Sequence, residues 1–466
     1  MNAFLQLMKP ELALTAILFL LLFIKIGKGL SNDKLLGLVQ LLLLLNFIGG
    51  FFFVSRGVLF GDLYFTNPTI ILEKNILNLA LYLISLIGSE WFKKSEHLAE
   101  YFMLMIAATL GFFLLLSSGN MLMFYLSLEL ATIPVAAMAN FDLHRKRSSE
   151  GAMKMILSSA FSSGLFLFGV SLLYGSLGTL NLSAISEGLN GSSLQILAFV
   201  FIFAAFAFKL SIVPFHLWTA DVYEGSPIPT TAFLSVVSKG TIAFVFMRFV
   251  FYIFQPLYGI WYVLLIALAL LTLIIGNLFA LRQQNIKRFL AFSSIAQVGF
   301  ILVGIISNNT GGFAAVTYFI LVYIFSNLAA FGVATAIAQA LGKENIDDFK
   351  GLYQTNPFLS WIMALALFSL AGIPPTAGFF GKLFLLTAGG SNAAYWFIII
   401  AALNMIVSLF YYLRVVRAIF MDKNETPIEK IHLSAATKLG LVICAAGVVA
   451  AGVYGPLYDY IAHFTN

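Results

Sequence analysis

The chain has 466 residues, of which 61% are hydrophobic and only 10% are charged, and its mean hydropathy is +0.97. This charged fraction lies far below the roughly 25% of soluble domains, so the composition excludes a soluble globular protein and predicts an all-α polytopic membrane protein. The net charge of +6 does not indicate nucleic-acid binding, because the basic residues gather at the ends of apolar runs, where they set membrane orientation.

Cysteine and histidine usage limits the chemistry of the chain. The single cysteine, Cys444, lies in an apolar run, which excludes an internal disulfide, a cysteine zinc cluster and iron–sulfur ligation. The sequence has no phosphate-binding loop and no zinc-type histidine spacing. We therefore expect no cofactor, no metal and no catalytic site in this chain, and we assign any redox chemistry to partner proteins.

Apolar runs of the length needed to cross a bilayer, about 20 residues, recur from end to end. The first run has no small-residue cleavage site after it and is interpreted as a retained first helix. Numbered in chain order, about fourteen spans are predicted near residues 10–27, 35–54, 76–93, 98–117, 119–140, 150–175, 194–218, 227–252, 258–281, 285–306, 312–340, 357–388, 393–421 and 434–461.

Basic residues alternate between the connecting loops. Loops that follow odd-numbered spans carry most of the lysine and arginine: Lys28, Lys34, Lys93, Lys94, Arg145, Lys146, Arg147, Arg282, Lys287, Arg288, Lys343, Lys350, Lys423 and Lys430. The other loops carry only Arg56 and Lys74. The positive-inside rule then places the odd loops in the cytoplasm and both termini on the outer, periplasmic side.

Two spans contain proline in the middle. Pro214 lies in span 7, and Pro374 and Pro375 follow Gly372 in span 12, so both helices are predicted to break inside the membrane. The broken helix is the fourth of five in spans 4–8 (98–252) and again in spans 9–13 (258–421). Five is an odd number, so these units form an inverted repeat, preceded by a three-helix segment (1–97) and followed by a C-terminal helix (434–466). The alternative is a pair of ordinary proline kinks.

Four ionisable residues fall inside predicted spans: Glu129, Lys209, Lys239 and Lys382. A charge in hydrocarbon costs at least a few kcal/mol, so each is a functional-site candidate. Lys209 lies twelve residues before Asp221, which at the helical rise places it roughly 18 Å from that end of the span. A carboxylate and an ammonium in one bundle stabilise each other's charged forms, so Glu129 and Lys209 could control protonation by meeting and separating.

This arrangement suggests a proton relay through Glu129, Lys209, Lys239 and Lys382. Alternatives stay open for each member: a structural ion pair for Glu129 and Lys209, a packing role for Lys239, and snorkelling to the interface for Lys382. Residues that could support the relay or order water are Glu150, Lys154, His216, Ser293, Gln297, Tyr323, Ser326, Asn327 and Asn404. Glu150 and Lys154 also have the spacing of a simple i, i+4 salt bridge, and His216 could only cap the break at Pro214.

Long stretches of the chain resemble one family. They include EGAMKMILSSAFSSGLFLFGVSLLYGSLGTLNL, FKLSIVPFHLWTADVYEGSPIPTTAFLSVVSKG and LFSLAGIPPTAGFFGKLFLL, and the likeness extends over essentially the whole chain. They are similar to subunit N of the proton-pumping NADH:quinone oxidoreductase, respiratory complex I, whose antiporter-like fold has fourteen helices and two inverted repeats. The resemblance implies that Glu129, Lys209, Lys239 and Lys382 are the proton-relay residues and that Glu150 and Lys154 are the acidic and basic pair of span 6.

The resemblance also implies partners and a location. The neighbours would be subunits M, K and J of the complex in the bacterial inner membrane, with FMN and iron–sulfur clusters in other subunits and quinone as the substrate of the complex. Subunits L and M and the Mrp-type sodium/proton antiporters resemble the chain too, but after PFH this chain has DVYEGSP, which is similar to subunit N. Ala220 and Ile228 depart from the family pattern at a helix end, which puts the local geometry there in doubt. The alternative functions are a secondary Na⁺/H⁺ antiporter and a spacer that does not pump.

Overall fold

The computed structural model describes residues 2–27, 29–143, 145–424 and 428–465, and these form an almost entirely helical bundle. Within them, twelve helices are long and apolar enough to cross a membrane: Asn32–Gly50, Pro68–Ile87, Leu98–Leu116, Met121–Ala139, Lys146–Leu177, Ser193–Leu210, Ile228–Ile253, Gln255–Arg282, Ile286–Ile306, Thr310–Leu341, Tyr395–Phe420 and Ala435–Val453. The helix Lys9–Ile26 and the consecutive helices Pro357–Ala371 and Ala377–Gly390 supply spans 1 and 12. The predicted all-α polytopic membrane fold class is confirmed.

Short elements complete the described chain. The short helices are Asn2–Leu7, Ser89–Lys94, Leu182–Gly188, Leu217–Gly225, Leu352–Thr355 and Pro456–Thr465, and 3₁₀ turns cover Gln255–Leu257 and Ile346–Phe349. Span 8 contains two π-helical turns, Leu234–Ser238 and Phe249–Ile253. Strands β1 (Gly57–Leu59) and β2 (Tyr64–Thr66) form an antiparallel hairpin in which Val58 lies opposite Phe65.

The two ends of the bundle differ. At the end that we call the hairpin end, the backbone N–H of Phe65 in β2 donates to Ser117, and that of Gly119 donates to Leu63. At the opposite end, the basic end, Arg145 pairs with Glu344 at 3.3 Å. Loops that follow even-numbered spans meet at the hairpin end, and loops that follow odd-numbered spans meet at the basic end. Among the residues described, both termini lie at the hairpin end, where Thr69 donates to the carbonyl of Phe464. Met1 and Asn466 lie outside the described residues.

Asparagine starts many of these helices. An Asn side chain accepts a backbone N–H of the first turn, which satisfies a donor that has no partner within the helix. Such N-caps are Asn67, Asn120, Asn181, Asn285 and Asn309. Gly178 and Gly342, with φ of 69° and 66°, end the 32-residue helices of spans 6 and 11 in the left-handed conformation that glycine adopts without strain.

The sequence interpretation was wrong at two positions. Lys74 was assigned to a loop, but span 3 begins at Pro68, and Lys74 is fully buried within it, paired with Glu11 at 2.5 Å. Lys74 was taken to mark a loop because the sequence does not show which acid pairs with it. That acid, Glu11, lies 63 residues away in the chain. The C-terminal helix predicted for 434–466 is interrupted, since Ala435–Val453 ends before Gly455 and a second helix begins at Pro456, which cannot donate a backbone hydrogen bond.

Candidate functional site

Lys209 lies at the end of the first half of span 7. The helix Ser193–Leu210 stops at Ser211, whose φ of 64° is left-handed, and the second half, Leu217–Gly225, begins after His216. The Lys209 ammonium donates to the hydroxyls of Thr132 at 2.9 Å and Ser159 at 3.4 Å. The predicted break is therefore present, and Lys209 sits directly before it on two neutral oxygens from spans 5 and 6.

Glu129 lies one turn before Thr132 on span 5 and is partly buried. Its Oε1 accepts a short hydrogen bond from the Ser163 hydroxyl of span 6. No contact within 4.0 Å joins the Glu129 carboxylate to the Lys209 ammonium among the ion pairs of the described residues. In this structure, Glu129 and the Lys209 acceptor Thr132 are therefore neighbours on span 5, but the acid and the lysine are held on separate hydroxyls.

Lys239 is deeply buried in span 8, directly after the π-helical turn Leu234–Ser238. Its ammonium donates to the Ser294 hydroxyl of span 10 at 2.8 Å and lies 5.4 Å from the centre of the Tyr223 ring. A cation over an aromatic face gains roughly 0.5–2 kcal/mol, more as it is desolvated. The ammonium is thus stabilised by neutral groups.

Lys382 lies in the second half of span 12 and is 1% exposed. Its ammonium donates to the carbonyl oxygens of Leu370 at 2.6 Å and Ala371 at 3.2 Å, the last residues of the first half. These carbonyls have no helical donor, because Gly372, with φ of 89°, ends the helix before Pro374 and Pro375. The side chain therefore points into the bundle, which contradicts the snorkelling alternative.

A hydrogen-bonded chain runs from span 10 to Lys382. The Ser293 and Tyr412 hydroxyls are 2.5 Å apart, the Gln297 amide donates to Tyr412 at 3.1 Å, and it also donates to the Leu370 carbonyl at 3.0 Å. Ser293 precedes Ser294, the partner of Lys239. We call Ser293, Tyr412, Gln297 and the Leu370 carbonyl the polar lane; it reaches from the residue next to the Lys239 partner to Lys382.

Other polar residues predicted for the site have different positions. Tyr323 and Asn327 both bond Ser235, which precedes Lys239 by one turn, and Ser326 bonds Ser369 at 2.7 Å next to the break. Asn404 instead bonds Asn277 at 3.0 Å and joins spans 9 and 13. The sequence interpretation missed Tyr412, Ser294 and Thr132; a tyrosine inside the apolar run of span 13 was the available signal for Tyr412.

The region between Lys209 and Lys239 contains a small void. A cavity of about 20 Å³ is lined by Lys209, Thr132, Ser159 and Ser238, among others. This volume holds about one water molecule, and the polar lining supplies its partners. The void spans the gap between Lys209 and the residue that precedes Lys239.

His216 lies at the start of the second half of span 7 and is 5% exposed. Both ring nitrogens lack a protein partner within the described residues, and the ring stacks at 6.2 Å on Phe279. Buried polar atoms normally have a partner, so a water molecule is the expected partner of these nitrogens beside the break at Pro214.

Glu150 and Lys154 lie at the basic end of span 6. Lys154 bonds Glu150 at 2.6 Å and Asp221 at 2.7 Å, and Asp221 also accepts from Arg288 at 2.7 Å. The predicted i, i+4 pair exists but is one part of a larger ion-pair network between spans 6, 7 and 10. In the part of the chain that is described, no three His, Cys, Asp or Glu side chains come together as a metal site.

Comparisons with known proteins identify relatives. Residues 118–408 match the family described as NADH:quinone oxidoreductase/Mrp antiporter, TM. The NADH-quinone oxidoreductase subunit N of Phocaeicola vulgatus is 41% identical over 98% of this chain and 97% of its own length. A chain of respiratory complex I from Thermus thermophilus superposes with a TM-score of 0.82 at 26% identity, covering 96% of this chain and 98% of that chain.

A second solved structure is similar in fold. A chain of the Mrp complex from a Dietzia species superposes with a TM-score of 0.87 at 18% identity, covering 99% of this chain and 97% of that chain. At this identity the likeness concerns the fold alone. The relatives with high sequence identity therefore favour the quinone oxidoreductase over the antiporter.

Proposed function

The chain belongs to the NADH-quinone oxidoreductase subunit N family, and from that premise we propose that it moves protons along Glu129, Lys209, Lys239 and Lys382. As in its relatives, the chain is an antiporter-like membrane subunit of an enzyme complex. NADH:quinone oxidoreduction in partner subunits, which carry FMN and iron–sulfur clusters, drives the movement. Quinone is the substrate of the complex, not of this chain.

The observation that carries this proposal is how the three lysines are held. Each ammonium rests on hydroxyl or carbonyl oxygens, and the ion pairs of the described residues include none of the three. A buried lysine without a carboxylate loses its charge readily, since desolvation disfavours the charged form. Lysine can then take up and release a proton in turn, which arginine cannot do.

Glu129 supplies the charge that controls the first step. Lys209 bonds Thr132, which lies one helical turn from Glu129. If the Glu129 side chain leaves Ser163 and rotates towards Lys209, the carboxylate and the ammonium form a pair. With Glu129 near, the Lys209 ammonium is stabilised, and with Glu129 on Ser163 it releases its proton towards Lys239. A water in the void at Ser238 and a water on His216 support this transfer.

The polar lane then connects Lys239 with Lys382. Ser294 accepts from Lys239, and the lane begins at the adjacent Ser293 and ends on the carbonyl shared by Gln297 and Lys382. Glu150, Lys154 and Asp221 form an ion-paired group at the basic end, where a proton enters towards Lys209.

Corresponding contacts in the two halves of the chain lie 164 or 165 residues apart, which supports an inverted repeat. Asn120 bridges Asn181 at the hairpin end, and Asn285 bridges Asn345 at the basic end. Gly111 packs against the backbone of Ala131, and Gly276 packs against that of Ala296. The same spacing relates Glu129 to Ser294, the acceptor of Lys239. In this proposal, the repeats cover 98–252 and 258–421, with flanking segments 1–97 and 434–466.

The orientation follows from charge. The basic end carries Lys93, Arg145, Arg147, Lys287 and Lys350, and the positive-inside rule places it in the cytoplasm. The hairpin end and both termini then face the periplasm of a bacterial inner membrane. Within the complex, subunit M contacts one side of the chain, and subunits K and J lie on the other, towards the quinone site.

The experiment that tests this function is proton pumping with simultaneous NADH oxidation in membrane vesicles that carry Lys209→Ala. We expect pumping to be lost, with electron transfer slowed or uncoupled, in a complex that still assembles. The matched control is Lys438→Ala, because Lys438 is exposed. Unchanged pumping by an assembled Lys209→Ala complex would contradict the relay. Sodium-driven exchange without redox subunits would instead support the antiporter alternative.

A further inference from the structure

Two buried ion pairs at the hairpin end have no part in the relay described above. Glu73 and Lys74 are consecutive in span 3, and each is fully buried. Glu73 pairs with Arg248 of span 8, and Lys74 pairs with Glu11 of span 1. Buried ion pairs contribute little net stability because desolvation offsets their attraction, so two adjacent pairs call for an explanation beyond stability.

The two pairs differ in how completely they are bonded. The Lys74 ammonium bonds Glu11, Tyr64 at 3.4 Å and Ser117 at 2.7 Å, and the Tyr64 hydroxyl donates to the other Glu11 oxygen at 3.2 Å. In contrast, Glu73 Oε1 is buried and has no protein partner in the described residues. A carboxylate oxygen left open in this way is a place where a proton can bind.

The pairs also differ in their access to solvent. A half-open cavity of about 560 Å³ at the hairpin end is lined by Arg248, Asp62, Glu187 and Tyr252, among others. Arg248, the partner of Glu73, forms part of its wall, whereas neither Glu11 nor Lys74 lines it. Of the two buried pairs, only Glu73–Arg248 therefore has a member in the wall of this cavity.

Arg248 is linked to the relay by its helix. Lys239 and Arg248 are the first and last residues of one regular helical segment, with a π-helical turn before it and another after it. The segment is roughly 14 Å long at the helical rise. Since π-helical turns are irregular and frequent at functional sites, a shift at Lys239 can move the segment as a unit and change the distance between Arg248 and Glu73.

We propose that Glu73 is the proton-release site of this chain and that Arg248 gates it; this rests on the proton-carrying function proposed above. With Arg248 withdrawn, Glu73 Oε1 binds a proton that the Lys239 ammonium has released to water inside the bundle, so that an N–H bond of Lys239 breaks and an O–H bond forms on Glu73. When Arg248 returns, it stabilises the carboxylate, the O–H bond breaks, and the proton passes to a water of the cavity, forming a hydronium ion. The other charged groups near Glu73 and the cavity are Lys74, Glu11, Asp62 and Glu187.

The test is proton pumping by the assembled complex with Glu73→Gln/Arg248→Met. Replacing both partners avoids an unpaired buried charge, so a merely structural pair should tolerate the change. The matched control is Glu11→Gln/Lys74→Met, which removes the neighbouring pair, and Lys239→Ala is measured alongside. We expect the first double variant to lose as much proton transfer per NADH as Lys239→Ala, while the control retains the wild-type ratio.

Two results would overturn the release site. One is wild-type pumping by Glu73→Gln/Arg248→Met while Lys239→Ala is impaired, which would leave the relay intact and move the exit elsewhere. The other is equal loss from both double variants, which would mean general damage to the hairpin end. If Glu73→Gln/Arg248→Met fails to assemble, the variant Glu73→Asp/Arg248→Lys replaces it, because it keeps both charges and shortens both side chains. Wild-type pumping by this second variant, with a wild-type pH profile of pumping, would equally overturn the proposal. An unimpaired Lys239→Ala would instead contradict the relay itself.

Discussion

The ammonium of Lys382 donates a 2.6 Å hydrogen bond to the carbonyl oxygen of Leu370, across the break that divides span 12. The same carbonyl accepts from Gln297, so one backbone oxygen joins the lysine to the polar lane. The carbonyl is available because the first half of the span ends at Ala371 and its last carbonyls have no helical donor. The helix break thus creates the acceptor that positions the lysine.

Replacing Lys382 by arginine tests whether this position needs only a positive charge or also a group that can release a proton. Arginine keeps a cation for the free carbonyls but does not release its proton in a protein, so Lys382→Arg should assemble and lose proton pumping. Pumping and NADH oxidation in vesicles measure this. The control is Lys343→Arg at an exposed position of the basic end. If Lys382→Arg pumped like the wild type, Lys382 would not carry protons.

Gln297→Leu should interrupt the polar lane between Tyr412 and Leu370. The expected result is a lower ratio of protons pumped to NADH oxidised, with a loss of about 0.5–1.5 kcal/mol in stability per hydrogen bond removed. Gln40→Leu is the matched control, because Gln40 also bonds a backbone carbonyl, that of Ser85, but lies away from the lane. Similar pumping by the two variants would argue against the lane.

Gly378→Ala should prevent the two halves of span 12 from packing. A Cβ at this position would lie 1.8 Å from the Ser369 carbonyl oxygen, so the backbone must shift. Overpacking costs about 1–3 kcal/mol or more, and we expect loss of assembled subunit and a lower unfolding temperature. Gly175→Ala, where nothing lies within 4 Å, should be neutral or stabilising by up to about 1 kcal/mol. Normal assembly of Gly378→Ala would show that the break is not rigid.

Asp221→Asn should destabilise the chain more than Glu150→Gln. Asp221 accepts from both Lys154 and Arg288 and so joins span 6 to span 10, whereas Glu150 forms one exposed pair worth about 0.3–0.5 kcal/mol. Thermal unfolding of the detergent-solubilised complex provides the comparison. At about 1 M salt, which screens exposed charges beyond roughly 3 Å, the effect of Glu150→Gln should vanish first. If Asp221→Asn and Glu150→Gln lowered the unfolding temperature equally, both at low salt and at about 1 M salt, Asp221 would not join span 6 to span 10.

The amino-acid sequence alone was enough to predict the membrane class, the approximate number of spans, the two broken helices and the position of the candidate lysines within spans. These features are local: a run of apolar residues must be helical in a bilayer, and proline interrupts the helix in which it lies. Lys209 and Lys382 could be singled out because an uncompensated cation is improbable in such a run.

The atoms that those charges contact depend on how the helices pack together. In the structure, Tyr412 bonds Ser293 in the polar lane, Glu129 accepts from Ser163, and Lys74 forms a buried pair with Glu11 instead of lying in a loop. Each of these contacts joins residues from different helices, 34 to 119 positions apart in the chain. Hydropathy fixes where a helix lies but not its rotation about its own axis, and that rotation, set by packing against the other helices, selects the partner of every buried polar side chain.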